Sequence, residues 1–297
     1  MSAAVHAFPE EEAAARALAD ALGAPCAPVL THRFPDGELL VTVEEPPRTV
    51  IVYRSLDRPN DKLVELVLAA EAWRRLGVRR LVLAAPYLAY MRQDRAFTPG
   101  QAISQRAVAK LLEGLFDRLV TVNAHLHRTH RLADIFGRMP AEDLSAAGAI
   151  AEWLSTEASP AETLVVGPDE EASPLVGDVA ARFGAPWTTF IKHRHGDVAV
   201  GLKIAKPNLI RGRKIVIVDD ICSSGATLAA AAQELESAGA REVRAVVVHA
   251  LHDAQTAARL AAGGLERIVS TDSVPHPTNR IALAPLLARA LADEVPT

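Results

Sequence analysis

Two adjacent carboxylates, Asp219 and Asp220, stand between a run of four β-branched residues and a loop of small residues. The β-branched run predicts a buried strand, and ligands of open α/β sheets bind outside the carboxyl ends of such strands. A small-residue loop that opens a helix offers backbone N–H groups to a phosphate, whereas the acids suit ribose hydroxyls or a cation. The segment therefore predicts a sugar-phosphate site; the alternative is a buried strand followed by an acidic, solvated turn. The loop residues are Ser223, Ser224, Gly225, Ala226 and Thr227.

The elements that must position these residues alternate between strand and helix patterns, which indicates an α/β fold with largely parallel sheets. Two segments, 69–88 and 231–251, share the order helix, glycine, basic residue and buried strand. This weak repeat predicts two copies of one fold, although generic α/β architecture also produces it. For 297 residues we expect two domains, 1–142 and 143–297. The strand candidates are 50–53, 81–85, 119–122, 164–166, 215–218 and 243–249.

Composition excludes several classes of protein. Hydrophobic residues make up 49% and aromatic residues 4% of the chain, so we expect aliphatic cores. The formal net charge of -4 gives no general attraction for nucleic acid. Cys26 and Cys222 form no disulfide framework and fit a reducing compartment, and no apolar run reaches the length of about 18 residues that a membrane span needs. We therefore expect a cytoplasmic protein whose partners are neither nucleic acids nor membranes.

The first half carries two further polar motifs. Asp36, Gly37 and Glu38 follow a proline, which is ordinary turn chemistry. An Arg-Gln-Asp-Arg segment follows a buried strand; it is either a solvated loop or a clamp for a polyphosphate and a purine. A Tyr-Arg pair at 53–54 takes the place of the two acids, so we expect the phosphate loop only in the second copy. The clamp residues are Arg92, Gln93, Asp94 and Arg95.

The segment 219–227 resembles the phosphoribosyl-pyrophosphate (PRPP) binding loop that phosphoribosyltransferases and PRPP synthetases share, with a serine and an alanine for its usual threonine and second glycine. The segments 33–38 and 92–95 resemble the Arg-Phe-x-Asp-Gly-Glu and Arg-Gln-Asp-Arg elements of ribose-phosphate pyrophosphokinases, which are the PRPP synthetases. Phosphoribosyltransferases lack the second of these elements. The resemblance covers nearly the whole chain, and the combination of the 92–95 and 219–227 segments indicates the pyrophosphokinase family. Ser223, where many members have aspartate, resembles the short archaeal-type branch.

The resemblance implies two phosphoribosyltransferase-like domains, each a mostly parallel sheet flanked by helices. It implies that ATP and ribose 5-phosphate react to give PRPP and AMP, with Mg²⁺ required. The segments 36–38 and 92–95 are then expected to bind ATP. The acids at 219–220 and the loop at 223–227 are expected to bind ribose 5-phosphate, the acids also helping to hold Mg²⁺.

Four further residues gain a role from the resemblance. Lys192 and Arg194 match the start of the family's mobile catalytic loop, and are implied to close over the transferring diphosphoryl group. Asp169 matches the aspartate that serves the ribose-phosphate and metal site, and His125 matches a residue of the Mg²⁺ shell. The resemblance also implies a homo-oligomer, a dimer or a multiple of dimers, whose ATP site is completed across a subunit boundary.

The segment around His125 departs from the family pattern. This chain has Asn123 where the family usually has aspartate, and a following Gln-Gly-Phe-Phe part is missing. Mg²⁺ prefers anionic oxygen, so the loss of that carboxylate weakens the implied site, and Asp134 is a candidate to compensate. His127 and His130 admit a zinc interpretation together with His125, which is disfavoured because no cysteine or fourth ligand lies nearby in the sequence.

Two other functions compete with PRPP synthesis. A phosphoribosyltransferase that consumes PRPP would need no ATP, and it leaves the Arg-Gln-Asp-Arg loop unexplained. A non-catalytic regulatory paralogue predicts loss of the cations at 192 and 194 or of the acids at 219–220, and all four are present. Within the favoured function, a different pentose phosphate as acceptor stays open.

Overall fold

The structure is a computed structural model. It describes residues 3–126, 129, 131–195 and 199–295, without the side chains of 192–195 and 199–203. Both cores are aliphatic, as composition predicts, with Trp73 among the few large aromatic side chains that are fully buried. Within the described residues, no helix combines the length and the apolar character needed to cross a bilayer.

The chain divides into two compact units. The first comprises residues 1–144 and 283–297, and the second comprises residues 145–282. The sequence places a boundary at 142/143, two residues from this division, but it assigns the C-terminal segment to the second domain. In the structure the C-terminal segment belongs to the first unit, because the last helix packs there.

Seven strands form the sheet of the first unit: β1 (Ala3–Ala7), β2 (Cys26–Arg33), β3 (Leu39–Val43), β4 (Thr49–Tyr53), β5 (Arg80–Ala85), β6 (Arg118–Val122) and β7 (Ala141–Leu144). Their order is β3-β2-β1-β4-β5-β6-β7, and all neighbours are parallel except β2 and β3. Central strands such as β4 and β5 are buried on both faces, which is why they read as continuous apolar runs. The helices that follow are α1 (Glu12–Leu22), α2 (Pro59–Arg75) and α3 (Ser104–Leu115).

The second unit repeats this topology. Its strands are β8 (Thr163–Gly167), β9 (Trp187–His195), β10 (Ala199–Ile204), β11 (Lys214–Cys222), β12 (Glu242–Ala250), β13 (Arg267–Thr271) and β14 (Asn279–Ile281). Their order is β10-β9-β8-β11-β12-β13-β14, again with one antiparallel pair, β9 and β10, at one edge. The two sheets therefore match strand for strand, which confirms the predicted duplication. The helices are α4 (Ala147–Glu157), α5 (Ser173–Phe183), α6 (Ala226–Ser237) and α7 (Ala254–Ala262).

The last helix, α8 (Ala284–Leu291), follows the second sheet in the chain but belongs to the first unit, where it packs against α1. It buries Leu287 and Leu291, and the adjoining Glu294 forms ion pairs with Arg80 at 2.6 Å and Arg118 at 3.0 Å. In the second unit, α4 packs against α5 in the same way, although it follows the first sheet. The first unit thus takes this helix from beyond the second sheet, whereas α4 directly precedes the first strand of its own unit.

Candidate functional site

The two acids of the second unit lie within β11, near its carboxyl end. The strand does not end at Val218 as predicted; it continues to Cys222, because Asp219 and Cys222 still pair with β12. Both carboxylates are half-buried, and the backbone N–H of Asp220 donates to the Asp219 carboxylate at 3.0 Å. Burial, together with the charges of Asp220 and Asp169, raises the pKa of Asp219 well above its ordinary value. Hydroxyl donors or a cation at this point would relieve that repulsion.

Asp169 follows the neighbouring strand, β8, and lies at the same carboxyl-terminal side of the sheet. Its carboxylate accepts the backbone N–H groups of Glu171 at 3.1 Å and Ala172 at 3.3 Å, which fixes the turn that enters α5. The described residues contain no group of three or more acids, histidines or cysteines arranged to hold a metal. The acids present are nevertheless hard oxygen donors, and Mg²⁺ is commonly bound by one or two carboxylates together with substrate oxygens and water. This donor set fits Mg²⁺ that arrives with a phosphate substrate.

The loop after the acids leads directly into α6. Gly225 has φ +72°, and a Cβ at this residue would lie 2.9 Å from both Leu260 and Thr256, so conformation and packing both demand glycine. Ala226 is the first residue of α6, so its methyl group meets no backbone strain. No side chain caps the helix, and the Ser224 hydroxyl lies 3.5 Å from the Ala226 nitrogen. The first turn of α6 therefore presents N–H groups beside exposed hydroxyls, an arrangement suited to a phosphate.

Lys192 and Arg194 lie in β9, where the resemblance predicts the start of a mobile loop. The backbone around them forms an antiparallel ladder with β10, in which Lys192 is opposite Leu202 and Arg194 is opposite Val200. The side chains of both residues lie outside the described part of the structure, as does Gly196, so their catalytic role stays a prediction. The segment is a strand rather than a loop because its backbone pairs with the edge strand β10.

In the first unit, the Arg-Gln-Asp-Arg loop follows β5 and is held to the start of α3. The side-chain amide of Gln105 donates to the Met91 carbonyl at 3.1 Å, and the Ser104 hydroxyl donates to the Gln93 side chain at 3.0 Å. Arg92 is exposed and has no hydrogen-bond or ion-pair partner among the described residues. Arg95 is exposed as well, with its guanidinium over the ring of Phe97. Anchored backbone and available cations are what a polyphosphate clamp requires.

The second predicted ATP motif forms the tip of the β2–β3 hairpin. Gly37 has φ +94°, and the Glu38 backbone N–H donates to the Asp36 carboxylate at 3.1 Å, which closes the turn. Arg33 donates to the Gly37 carbonyl and pairs with Asp61 at 2.6 Å. The side chains of the turn are exposed at the edge of the sheet. The predicted turn is therefore present, and its acids stand away from the core.

A third polar turn follows β6 and contains His125. Asn123 has φ +43°, and its N–H donates to the Leu144 carbonyl at 2.9 Å. The next N–H, that of Ala124, donates to the carboxylate of Asp143 at 2.9 Å. Sequence reasoning missed Asp143, although an acid near the end of a strand is the signal that identified Asp219. His127 and His130, part of the zinc interpretation, lie outside the described residues.

Asp134, the predicted substitute for the missing acid, lies in a short 3-10 helix, Leu132–Asp134, after this turn. It forms an exposed ion pair with Arg131 at 3.0 Å. Exposed pairs three residues apart are screened by solvent and contribute little to stability. Among the described hydrogen bonds, the turn at 123–125 takes its carboxylate from Asp143.

The first unit carries a buried ion-pair network where the second carries its acids. Because β4 and β11 hold the same place in the two sheets and begin opposite the first residues of β1 and β8, Arg54 corresponds to Asp219. The alignment from sequence differs by one residue, because it placed Tyr53 opposite Asp219. The Arg54 residue is 1% exposed, so its charge must be balanced internally. Its carboxylate partners are Glu10, Glu11 and Glu65.

Comparison with known proteins follows the same division of the chain. The family model described as the N-terminal domain of ribose phosphate pyrophosphokinase matches residues 4–115, and the phosphoribosyl transferase domain matches residues 141–272. A ribose-phosphate pyrophosphokinase of Methanopyrus kandleri is 38% identical over 282 residues, which are 94% of each chain. One of Methanothermobacter thermautotrophicus is 34% identical, over 94% of this chain and 96% of that protein. Both relatives are archaeal.

A solved structure gives the same fold. The phosphoribosylpyrophosphate synthetase of Mycobacterium smegmatis superposes with a TM-score of 0.84, over 98% of each chain and with 24% sequence identity. At that identity the likeness establishes the architecture of two sheets and their helices. It confirms the predicted fold class, two phosphoribosyltransferase-like domains with mostly parallel sheets.

Proposed function

This chain belongs to the ribose-phosphate pyrophosphokinase family, and from that premise we propose that it transfers the β,γ-diphosphoryl group of ATP to the 1-hydroxyl of ribose 5-phosphate. The products are PRPP and AMP. The observation that carries the proposal is the acid pair Asp219 and Asp220 near the carboxyl end of β11, followed by the uncapped first turn of α6. The same chain holds a second polar loop at 92–95 in its other unit, which suits an enzyme with one donor and one acceptor substrate.

We assign the acceptor to the second unit. Asp219 and Asp220 accept hydrogen bonds from ribose hydroxyls, and this contact stabilises the crowded carboxylates in their ionised form. The N–H groups at the start of α6, with the hydroxyls of Ser223, Ser224 and Thr227, hold the 5-phosphate. The sugar is then fixed at both ends, and its 1-hydroxyl attacks the β-phosphorus while AMP leaves.

The reaction develops negative charge on the transferring oxygens, so positioned cations are its main requirement. We assign this role to Lys192 and Arg194, on the match of their segment to the family's catalytic loop. Their place on the antiparallel β9–β10 pair at one side of the sheet supports a lid that opens as a unit.

Mg²⁺ would be held by Asp169 with the acids of β11 in the second unit and by His125 in the first. When bound, it would neutralise charge on the phosphoryl oxygens of the substrates. The raised pKa of Asp219 supports this assignment, because carboxylates crowded without a counter-charge favour a cation. The residues themselves orient the ribose and keep the substrate oxygens aligned.

We assign ATP to the first unit, with Arg92 and Arg95 on its phosphates and base, and Gln93 and Asp94 as polar contacts. The turn at 36–38 is proposed to reach the loop of a second subunit. Its strand, β2, lies three ladder steps from β5 in the same sheet, roughly 14 Å away at the usual strand spacing. That separation and the opposite charges of turn and loop support a site completed between two copies of the chain.

Two features weigh against the competing functions. A phosphoribosyltransferase needs no counterpart of residues 4–115, which match the pyrophosphokinase N-terminal domain. A regulatory paralogue has no need to keep Asp219 and Asp220 beside the open helix turn. The acceptor sugar is the finer part of the proposal, and we expect ribose 5-phosphate.

One experiment tests both the reaction and the acceptor. Purified protein is given ATP, Mg²⁺ and one pentose phosphate from a panel of four: ribose, 2-deoxyribose, arabinose and xylulose 5-phosphates. AMP release is then followed by a coupled assay. We expect release with ribose 5-phosphate and little with the 2-deoxy sugar, which lacks a hydroxyl for the acids. Absence of AMP with every sugar would refute the proposed function.

A further inference from the structure

The connection between β12 and α7 lies beside the phosphate loop of the second unit. The N–H of Leu251 donates to the carbonyl of Cys222, the residue directly before the loop, at 2.8 Å. Within α7, Thr256 and Leu260 pack so closely on Gly225 that a Cβ at this glycine would lie 2.9 Å from each side chain. The connection and its helix therefore contact the loop at its base and at its middle.

A histidine from another loop holds the same connection in place. His276, between β13 and β14, donates from its Nε2 to the carbonyl of His252 at 2.9 Å. Its Nδ1 accepts the N–H of Thr278 at 3.2 Å, which assigns the ring proton to Nε2. The two histidine rings also pack together, with centroids 4.4 Å apart, and His252 is buried. The next residue, Asp253, caps α7 by accepting the N–H of Thr256 at 2.8 Å, so the start of this helix is fixed on two sides.

We propose that His276 is a positioning residue for the acceptor substrate, and that it acts by holding the start of α7 against the phosphate loop. This inference rests on the proposed function, because it takes the loop at 223–227 as the site of the 5-phosphate. Backbone N–H groups bind a phosphate only where they are correctly placed, and a displacement of about 1 Å can cost about a hundredfold in rate. Gly225 leaves no space for even a methyl group on the α7 side, so a shift of the helix moves the loop as well.

The alternative is that His276 only stabilises the fold. Two substitutions separate its hydrogen bond from its bulk. His276→Phe keeps a ring on His252 but removes the donor, whereas His276→Gln keeps a side-chain N–H that can reach the same carbonyl. Thr163→Val is the matched control: it removes a side-chain bond of similar length, 2.8 Å to the Ser159 carbonyl, at the start of β8 and so at the opposite end of the same sheet.

The first measurement is the dissociation constant of ribose 5-phosphate, determined by titration calorimetry without ATP, so no turnover occurs. We expect His276→Phe to weaken binding by about fivefold or more, because the loop is no longer held in place. In steady-state kinetics the KM for ribose 5-phosphate should rise, while the KM for ATP should change by less than about twofold. His276→Gln should bind as the original protein does. Thr163→Val should lower the melting temperature and leave the affinity for ribose 5-phosphate unchanged.

Unchanged affinity in His276→Phe, or an equal loss in Thr163→Val, would overturn the proposal and leave a structural role. Weak binding by His276→Gln would overturn it as well, since the bond to the carbonyl would not be the cause. If His276→Phe does not fold, Thr256→Ser decides. It keeps the hydroxyl that accepts from Arg259 and removes the methyl that packs on Gly225, so the affinity should fall, and original affinity counts against the inference. An original chain that releases no AMP would instead contradict the proposed function, which the calorimetry does not measure.

Discussion

Replacing Gly225 by alanine should damage the acceptor site more than the fold. A left-handed residue with a Cβ costs about 1–2 kcal/mol. The new Cβ would also lie 2.9 Å from the side chains of Leu260 and Thr256, and overpacking of this kind costs about 1–3 kcal/mol more. To restore an ordinary van der Waals distance to these two side chains, the loop must move away from them by roughly 0.5 Å, which shifts the N–H groups that bind the phosphate. We expect the KM for ribose 5-phosphate to rise about tenfold or more, with the KM for ATP little changed.

Gly77 provides the matched control. It also has a left-handed backbone, φ +91°, but a Cβ there meets no atom within 4 Å. Gly77→Ala should therefore carry only the conformational cost, about 1–2 kcal/mol. Both variants are compared by thermal unfolding and by steady-state kinetics at saturating ATP. If Gly225→Ala keeps the original KM for ribose 5-phosphate, the phosphate does not bind at the start of α6 and the reasoning is refuted.

Three further predictions concern catalysis, assembly and pH. Lys192→Ala should lower kcat by about a hundredfold or more while ATP still binds, because a cation used in the transition state affects the chemical step most; near-original turnover would remove the residue from the lid. A proven mixed oligomer of Glu38→Ala and Arg92→Ala chains should regain activity that neither variant has alone, and no recovery would place both residues in one chain's own site. Burial lowers the pKa of His6 to about 4, so the folded protein keeps this imidazole neutral at pH values where the unfolded chain protonates it. The free energy of unfolding should therefore fall as the pH drops from about 6.5 to 4. His6→Leu should abolish that loss, roughly 2 kcal/mol at pH 5 in urea unfolding, and an equal pH dependence of both proteins would contradict it.

Sequence patterns predicted those strands and helix ends that depend only on residues close together in the chain. All six strand candidates correspond to observed strands, because short continuous apolar runs between polar turns form buried strands in an α/β chain. The predicted helix ends at Gly77, after α2, and at Gly239, after α6, are also observed; both glycines have a left-handed backbone, with φ of +91° and +87°. β1 escaped notice because its sequence, Ala-Ala-Val-His-Ala, is rich in alanine and its apolar run is interrupted by a histidine.

Features that depend on distant partners could not be read from the sequence. The assignment of α8 to the first unit depends on its packing against α1 and on the ion pair between Glu294 and Arg80, all of which join residues far apart in the chain. The link between Asp143 and the turn at 123–125 likewise depends on the parallel pairing of β6 with β7. Such contacts have no local pattern, because side chains that meet across a sheet are set by strand order.

The identity of the nucleotide product tests the central claim most directly. ATP, ribose 5-phosphate and Mg²⁺ are incubated with the protein, and ³¹P NMR follows every phosphorus atom; a variant with both Asp219→Asn and Asp220→Asn serves as the control. The account predicts AMP and a new diphosphate ester on the sugar in equal amounts, both strongly reduced in the control variant. ADP with a sugar bisphosphate, or an unchanged ATP spectrum, would contradict it.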